Sequence, residues 1–414
     1  MFHINFLGGT MKAAIMGYGV VGSGVGEILL KNAALIENKL GEKIEIKYVL
    51  DLRDFPGDVL EDKLTKNFED ILCDDEVKLV CEAMGGTKPA YEFTKRLLEA
   101  GKHVVSSNKE LVATYGYELL NTAKEHGVNY LFEAAVGGGV PILRPLWQCL
   151  GANHIERFYG ILNGTTNFIL TKMYNEDMPF DEALALAQQL GYAEKDPTAD
   201  IAGADVCRKT CILASISFGK HIDPAQVQTQ GIQDIQIRDV SYAKANGYEI
   251  KLLGFCEKLE NGKIDAIVSP FFVPKDNQIA TVSDVFNGIV VVGDMVDEVF
   301  FYGRGAGSLP TASACVADLM DCAMHSEKRK NFGWGARDAA FVEKHANCNT
   351  SYFVRGEGDI NAVKAAFGDV IFLSLQGAPL NEVAFITRKE TESVLDAKLA
   401  SIEDFHISAK FRVL

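Results

Sequence analysis

Residues 12–22 read KAAIMGYGVVG, a short apolar stretch that runs directly into a glycine-rich turn. Residues 12–16 predict a β-strand, residues 20–39 predict a helix, and residues 44–50 predict a second strand. In this β-turn-α-β setting, the pattern G-x-G-x-x-G allows a tight turn, close approach of the backbone to a pyrophosphate, and close packing of helix on strand. The sequence therefore predicts a dinucleotide-binding α/β domain at the start of the chain.

The end of the second predicted strand bears on the choice between NAD and NADP. It reads VLDLRD over residues 49–54. An acidic residue such as Asp51 suits a free ribose 2′-hydroxyl, whereas an arginine such as Arg53 suits a 2′-phosphate. Both residues are present, so this test leaves the choice open. Asp51 lies nearer to the end of the strand and tilts the interpretation slightly toward NAD.

Strands and helices continue to alternate, which is typical of a parallel α/β sheet. Residues 77–83 and 103–106 predict strands, and residues 91–100 predict the helix that joins them. Lys109 follows the later strand at its carboxyl end, where ligands bind in open α/β sheets. The alternative for Lys109 is an ordinary surface lysine in a loop. His103 is more consistent with a strand residue than with a catalyst.

The stretch GYAEKDPTADIAGADVCRK, residues 191–209, combines a charged loop with the start of a predicted helix. The loop carries three carboxylates, Glu194, Asp196 and Asp200. Asp205 and Lys209 are four residues apart and therefore share one helix face. A lysine beside carboxylates can bind a zwitterion or pass a proton, and the alternative is a solvated surface pair. Residues 210–216 are almost free of charge, so the helix enters an apolar interior, which favours a site.

Three further turns are rich in small residues. Residues 130–143 read YLFEAAVGGGVPIL, and three successive glycines leave the backbone open to a ligand or a cation. Residues 163–167, NGTTN, precede a helix predicted to begin near Phe168, and they are either part of a site or only a helix cap. A second glycine-rich turn, residues 302–307, precedes an apolar helix that extends to about residue 324.

The last part of the chain predicts a small unit of its own. The charged segment HSEKRK, residues 325–330, is typical of a linker. Beyond it, strands are predicted at residues 352–355, 370–375, 382–387 and 407–413, and helices at residues 361–367 and 390–402. The order β-α-β-β-α-β predicts a ferredoxin-like arrangement.

Composition excludes several classes of function. The chain has 414 residues, enough for two or three domains, and its net charge of −15 disfavours a nucleic-acid partner. No apolar run is long enough to span a bilayer. Nine scattered cysteines with no C-x-x-C pair, and no secretory signal, favour a reducing cytoplasm, where Cys207 and Cys211 serve packing. Residues 1–10 are either a short extra leader or precede a native start at Met11.

Taken in order, the motifs resemble homoserine dehydrogenases over nearly the whole chain. The matching pieces are GYGVVG, SSNKELVA, FEAAVGGGVPI, GILNGTTNFIL, GYAEKDPTADIAGADVCRK and GRGAGSLPTASACVADL. The resemblance implies a Rossmann-type domain at residues 11–140. It also implies an α+β substrate-binding and dimerisation domain at residues 141–325, whose segment 300–325 returns to the cofactor domain, and an ACT-like regulatory module at residues 345–414. The implied quaternary structure is a homodimer or homotetramer.

The resemblance also implies a reaction and roles for individual residues. The reaction is reversible, NAD(P)-dependent hydride transfer between L-homoserine and L-aspartate 4-semialdehyde in threonine, methionine and isoleucine biosynthesis. Lys209 matches the acid/base lysine and Lys109 a second lysine between cofactor and substrate. The residues matching the substrate-binding cluster are Glu194, Asp200 and Asp205. Those matching cofactor contacts are Gly17, Gly19, Val20, Val21, Gly22, Asp51, Arg53, Thr87, Lys109, Gly191, Gly305 and Gly307. A backbone cage for sodium is matched by Glu133, Val136, Gly138 and Val140.

Two positions depart from the family pattern. Lys195 stands where the family usually has proline, which changes the charge beside the substrate loop. The turn at residues 356–359, GEGD, lacks the D-x-P-G type loop that amino-acid-binding ACT domains commonly have, so threonine feedback is not implied. The rival interpretations are a dehydrogenase of another amino acid on the same scaffold and a non-catalytic regulator that senses a nucleotide and an amino acid. The presence of both Lys109 and Lys209 disfavours the regulator.

Overall fold

The computed structural model describes residues 9–414. The hypothesis of an extra leader at the start of the chain falls mainly on residues 1–8, which lie outside that range. The described chain divides into two compact units. Unit 1 comprises residues 9–151, Ser215–Asp223 and Arg304–Arg337, and unit 2 comprises Ala152–Ala214, Pro224–Gly303 and Asp338–Leu414.

The helices and strands follow one another along the chain in three groups. The first group is β1 (Thr10–Met16), α1 (Val20–Lys31), α2 (Ala33–Leu40), β2 (Lys43–Leu50), β3 (Leu64–Thr65), α3 (Glu69–Leu72), β4 (Val77–Glu82), α4 (Ala90–Glu99), β5 (His103–Ser106), α5 (Lys109–Glu125) and β6 (Tyr130–Leu131). The second is β7 (Ile155–Ile161), α6 (Gly164–Glu176), α7 (Phe180–Gln189), α8 (Thr198–Ile201), α9 (Ala204–Phe218), β8 (Gln228–Thr229), α10 (Ile237–Ala245), β9 (Tyr248–Lys258), β10 (Ile264–Pro274), β11 (Phe286–Gly293), β12 (Asp297–Arg304) and α11 (Ser308–Met324). The third is β13 (Val342–Glu343), β14 (Ser351–Glu357), α12 (Ile360–Phe367), β15 (Ile371–Leu373), β16 (Glu382–Ile386), α13 (Glu392–Ala400) and β17 (His406–Val413).

Unit 1 is built on a six-stranded sheet with the order β3-β2-β1-β4-β5-β6, and every pairing in it is parallel. The last four residues of β1 are apolar and buried, and β4 is buried at every position except Lys78, as expected for a parallel sheet that is covered on both faces. The prediction of an N-terminal Rossmann-type parallel sheet is confirmed.

The geometry of the glycine-rich turn after β1 requires glycine at two positions. Gly17 has a φ of +87°, and a Cβ on Gly22 would lie 1.9 Å from the Gly17 carbonyl oxygen. Both positions therefore require glycine. A Cβ on Gly19 would meet only Arg53 Nη2, at 3.8 Å, so the backbone at Gly19 stays open to a ligand.

The following helix was expected to be continuous over residues 20–39, and this was wrong: it breaks at Asn32, whose φ of −102° and ψ of 15° are not helical. Asparagine readily leaves helical geometry because its amide competes for backbone hydrogen bonds.

Helix α11 packs on α1 inside unit 1, although it lies far along the chain. Ser308 Oγ donates a hydrogen bond of 2.6 Å to the Val20 carbonyl oxygen. A Cβ on Gly24 would lie 2.7 Å from Ser308 Oγ, so glycine permits this close approach of the two helices. The result is that the first turn of α1 is held from the side by α11.

Unit 2 is built on an eleven-stranded mixed sheet with the order β12-β11-β7-β9-β10-β17-β14-β16-β15, while β8 and β13 pair with β10. The prediction of a separate α+β part is confirmed. The final segment has the predicted order β-α-β-β-α-β, and its strands run β17-β14-β16-β15, a ferredoxin-like order. β17 also pairs in parallel with β10, so this segment continues the sheet of unit 2. Within residues 9–414, no helix has the length and apolar character needed to cross a membrane.

The glycine turn generates a stability prediction. Gly22→Ala should destabilise the protein by about 1–3 kcal/mol, because the new methyl group must displace the Gly17 carbonyl. Gly19→Ala is the matched control and should retain wild-type stability, because the φ of −86° suits alanine. Urea unfolding of the ligand-free protein measures both, and equal midpoints for Gly22→Ala and wild type would contradict the prediction.

Candidate functional site

A buried carboxylate organises the carboxyl edge of the sheet in unit 1. Glu82, the last residue of β4, is fully buried and accepts hydrogen bonds from Ser106 Oγ at 2.5 Å and from the Met84 N–H at 2.8 Å. Asn108 Nδ2 lies 3.4 Å from the same carboxylate. Burial raises the pKa of Glu82. This residue joins the ends of two neighbouring strands, and the sequence analysis missed it.

Asn108 connects the Glu82 carboxylate to the loop at Gly86 and to the start of α5, where Lys109 lies. Its Oδ1 accepts from the Leu111 N–H at 3.1 Å and so caps α5, while its Nδ2 donates to the Gly86 carbonyl at 2.6 Å. Lys109 is the first residue of α5 and is half-buried. Thr87 follows Gly86 in the same loop and is also half-buried. The structure thus places Lys109 and Thr87 at the carboxyl edge where a parallel sheet binds its ligand.

Asp51 and Arg53, the two alternatives for reading the cofactor ribose, form an ion pair with each other. Asp51 accepts from Arg53 Nε at 3.0 Å and Nη2 at 2.9 Å, and from the Tyr18 N–H in the glycine turn at 2.8 Å. The hydrogen bonds from Arg53 lower the pKa of Asp51. The Arg53 guanidinium also lies over the ring of Phe55, 5.1 Å from its centroid. Asp51 is therefore already bound by an arginine, a feature that local sequence did not reveal.

Two glycine-rich turns of unit 1 pack against each other. Gly138 has a φ of +56°, and a Cβ there would lie 2.2 Å from the Gly305 carbonyl oxygen. The Gly139 N–H donates to the Arg304 carbonyl at 3.0 Å. Gly307 has a φ of +124° and precedes α11. The segment that carries Gly305 and Gly307 is therefore fixed by the three successive glycines near residue 138.

In unit 2, Lys209 and Asp205 form a buried pair on α9. Lys209 Nζ donates to Asp205 Oδ2 at 2.9 Å and to the Leu162 carbonyl at 2.7 Å. Asp205 is 2% exposed and Lys209 is 8% exposed, so the charges meet away from solvent. The predicted i,i+4 geometry on one helix face is present, and the surface-pair alternative is wrong because both side chains are buried.

Asn163 connects this pair to the charged loop. Its Nδ2 donates to Asp205 Oδ2 at 2.9 Å and to Asp200 Oδ1 at 2.8 Å, so one amide joins the two carboxylates. Its Oδ1 accepts from the Thr166 N–H at 2.9 Å and caps α6. Helix α6 therefore begins at Gly164, earlier than the predicted start near Phe168. The sequence offered only the cap as a signal, since the bridging contacts span 37 and 42 residues.

The structure leaves two residues of the charged loop outside this network. Glu194 is exposed, and within residues 9–414 its carboxylate makes no hydrogen bond. Asp196 Oδ1 accepts from the N–H of Thr198, the first residue of α8, at 3.2 Å. Gly191 has a φ of +75° and open space beside its Cα. Thus Asp200 and Asp205 are brought together with Lys209, whereas Glu194 stays on the surface of unit 2.

Glu133 fixes the loop that contains the three glycines. Its carboxylate accepts from the backbone N–H groups of Ile142 at 2.6 Å, Leu143 at 2.9 Å and Arg144 at 2.7 Å. Its own N–H donates to Asp318 Oδ2 at 2.8 Å. The Glu133 carboxylate is therefore committed mainly to the three backbone N–H groups that follow the loop.

Two family models match most of the chain. A family model described as "Homoserine dehydrogenase" matches residues 141–320, and one described as "Homoserine dehydrogenase, NAD binding domain" matches residues 17–133. The chain is 35% identical to the homoserine dehydrogenase of Bacillus subtilis (strain 168), with 96% of each chain covered.

Solved structures give the same result. A homoserine dehydrogenase from Thiobacillus denitrificans matches with a TM-score of 0.88 and 34% identity, covering 99% of both chains. A hyperthermophilic archaeal homoserine dehydrogenase in complex with NADPH matches with a TM-score of 0.64 and 28% identity, covering 75% of this chain and 97% of that one.

Asp318 generates a prediction about pH. Burial, with repulsion from Glu133, raises its pKa from the usual 3.8 to about 7. In that interval the folded state holds a proton that the unfolded state has released, so stability should fall as pH rises from about 4 to about 7. Asp318→Asn removes this loss, and its stability relative to wild type should increase over the same interval.

Urea unfolding at pH 4.5 and pH 7.5 measures the difference, and the exposed Asp276→Asn controls for the change in net charge. If the free energy of unfolding of wild type relative to Asp318→Asn instead rises with pH, the contact with Arg144 Nη2 at 2.5 Å dominates and Asp318 is ionised throughout.

Proposed function

The chain belongs to the homoserine dehydrogenase family and is an oxidoreductase with an NAD-binding domain, and from that premise we propose which residues carry its reaction. The reaction is reversible hydride transfer between L-homoserine and L-aspartate 4-semialdehyde. The observation that carries the proposal is the buried Lys209–Asp205 pair, joined to Asp200 by Asn163.

Lys209 is proposed as the acid/base group. When a hydride reaches the aldehyde carbon, the carbonyl oxygen gains negative charge and needs a proton from a positioned donor. The Lys209 ammonium is held at a fixed place by the Leu162 carbonyl and Asp205, and it can give that proton to become a neutral amine. In the reverse direction, the amine takes the proton of the homoserine hydroxyl. Because Asp205 and Lys209 are buried, the interaction between their charges acts at a lower dielectric than it would at the surface.

Asp205 and Asp200 are proposed to bind the substrate ammonium group. Two carboxylates held together by one amide form a compact negative site that suits a cation of that size. Glu194 is proposed as a third carboxylate, contributed by the exposed loop. Because Asn163 is a donor to both aspartates, it fixes their relative position without adding charge.

The nicotinamide cofactor, when bound, supplies or accepts the hydride, and the chain supplies its position. Lys109 is proposed as the second lysine of the reaction, at the start of α5. The remaining proposed cofactor contacts are Gly17, Gly19, Val20, Val21, Gly22, Asp51, Arg53, Thr87, Gly191, Gly305 and Gly307. The open space at Gly19 and the N-terminus of α1 suit a pyrophosphate.

A monovalent cation, sodium, is proposed beside the three glycines. Within the described part of the chain, the carbonyl oxygens of Val136, Gly138 and Val140 accept no hydrogen bond, and carbonyl oxygens are the ligands that such hard cations prefer. The carbonyl of Glu133 would complete the set. Bound there, the ion would hold this loop in place and would take no part in hydride transfer.

Regulation, assembly and location are also proposals. The ferredoxin-like order of the final four strands supports an ACT-like module at residues 345–414. The divisions at residues 11–140 and 141–325, and assembly as a homodimer or homotetramer, are proposed from the resemblance.

All nine cysteines are free thiols, which supports a reducing cytoplasm.

The role of Lys209 predicts a kinetic result. Lys209→Arg keeps a positive charge beside Asp205 but holds its proton at neutral pH, so turnover of L-homoserine should fall at least about a hundredfold. Lys209→Met should do the same. The affinity for the reduced nicotinamide cofactor, measured from the fluorescence of its dihydronicotinamide ring, should stay near the wild-type value.

The control is Lys172→Met. Lys172 pairs with Glu176 at the same spacing, at 2.6 Å, but on the surface, and its loss should leave turnover unchanged. A fall of less than about tenfold in the folded Lys209→Arg enzyme would remove Lys209 from the acid/base role.

The Asp51–Arg53 pair predicts a change of cofactor preference. Asp51→Ser removes the repulsion of a 2′-phosphate and frees Arg53, so the ratio of kcat/KM for NADP to that for NAD should rise by about tenfold or more. Arg53→Leu should lower the same ratio. Initial rates with the two cofactors measure it, and an unchanged ratio in both variants would show that this strand end does not contact the ribose.

A further inference from the structure

Arg412, near the end of β17, contacts side chains from four other segments of unit 2. It is 3% exposed. Its Nε donates to His345 Nε2 at 2.8 Å, and its Nη1 donates to Ser269 Oγ at 2.9 Å and to Gln230 Oε1 at 3.1 Å. Its Nη2 lies 3.8 Å from a Glu392 carboxylate oxygen. A buried cation with so many partners cannot move without leaving polar groups unsatisfied.

The neighbouring cluster is a hydrogen-bonded anchor for this arginine. Asp265, His345 and Cys348 place their potential ligand atoms within 4.8 Å of one another, as a metal site would. However, the guanidinium can only donate, so His345 Nε2 must accept and the ring proton lies on Nδ1, which donates to Asp265 at 2.9 Å. Burial also raises the pKa of Cys348 to about 12, which keeps it a thiol. Neither nitrogen of His345 is therefore open to a metal ion.

The segment that contains Gln230 connects Arg412 to the turn that follows α8. Two residues after Gln230, the Ile232 N–H donates to the Ile201 carbonyl at 2.9 Å. Gly231 lies so close that a Cβ would be 2.2 Å from the same oxygen, and a Cβ on Gly203 would be 3.0 Å from Thr229 Cγ2. The segment at residues 229–232 therefore supports the turn at residues 201–203 by direct backbone contact.

That turn determines where Asp200 lies. The Gly203 N–H donates to the Asp200 carbonyl at 2.9 Å, and the Asp200 carboxylate accepts from Asn163 at 2.8 Å. We propose that Arg412, acting through Gln230, is a positioning residue for the homoserine-binding turn. This rests on the proposed function, in which Asp200 and Asp205 bind the substrate. The polar partners of Arg412 are His345, Ser269, Gln230 and Glu392, none of which is a proposed substrate or cofactor contact, and its effect is to keep Asp200 where Asn163 holds it.

Steady-state kinetics with L-homoserine test the proposal. Arg412→Met should raise KM for L-homoserine by about tenfold, because small displacements of binding groups have large kinetic effects, while KM for the cofactor stays within about twofold. Gln230→Met removes the acceptor and should shift the same constant in the same direction. The double variant should be no worse than the more affected single variant, because both changes break one connection.

The matched control is Arg355→Met. Arg355 is also a buried arginine of the final segment, 4% exposed, but it binds Asp239 at 2.8 Å and Gln236 at 2.9 Å, away from Gln230. It should lower thermal stability as Arg412→Met does and leave KM for L-homoserine unchanged. If Arg412→Met does not fold, Gln230→Met gives the answer alone. Equal effects of the Arg412 and Arg355 variants on KM, or an unchanged KM in Gln230→Met together with unchanged hydrogen exchange at residues 198–206, would overturn the proposal.

Hydrogen exchange separates this inference from the proposed function. Amides at residues 198–206 should exchange faster in Gln230→Met than in wild type if the connection positions the turn. Faster exchange with an unchanged KM would keep the mechanical connection but show that Asp200 does not bind substrate. Unchanged exchange would overturn the positioning role, whatever the kinetics.

Discussion

A buried carboxylate must find hydrogen-bond donors, and this constraint shapes the loops on which the proposed site stands. Glu82 takes its donors from the ends of two adjacent strands, and Glu133 takes three backbone N–H groups that follow the glycine-rich loop. Asp205 takes an amide and an ammonium group. In each case, a loop that moved away would leave a charge unpaired in the interior, so these side chains hold the loops rigid.

Burial, rather than spacing, distinguishes the proposed acid/base pair from a common surface feature. Lys172 and Glu176 on α6 repeat the four-residue spacing, and their charged atoms are 2.6 Å apart. The exposed pair is screened by water and contributes little. Asp205 and Lys209 meet with at most 8% of either residue exposed, so the same contact acts at low dielectric. The apolar continuation of α9 at residues 210–216 is the part of the sequence that produces this difference.

Features that depend on neighbouring residues were predictable from the sequence. The strands of the parallel sheet, the glycines at residues 17 and 22, and the one-sided placement of Asp205 and Lys209 all follow from short-range geometry. Contacts between distant segments were not. Nothing local shows that Glu82 binds Ser106, 24 residues later, or that Arg412 binds Gln230 across 182 residues. The break at Asn32 was missed because helical periodicity continues on both sides of it.

The register of β17 on β10 depends on the same arginine. Only two residue pairs join these parallel strands, Phe271 with Arg412 and Phe272 with Val413. So short a pairing specifies register weakly by itself, and a slip of one residue would turn every side chain to the other face. Arg412 resists such a slip because its partner on β10, Ser269, is fully buried and its partner near β8, Gln230, is half-buried. The final segment is therefore joined to the rest of unit 2 by a specific side chain as well as by a continuous sheet, and a displacement of that segment would strain the contacts that support Asp200.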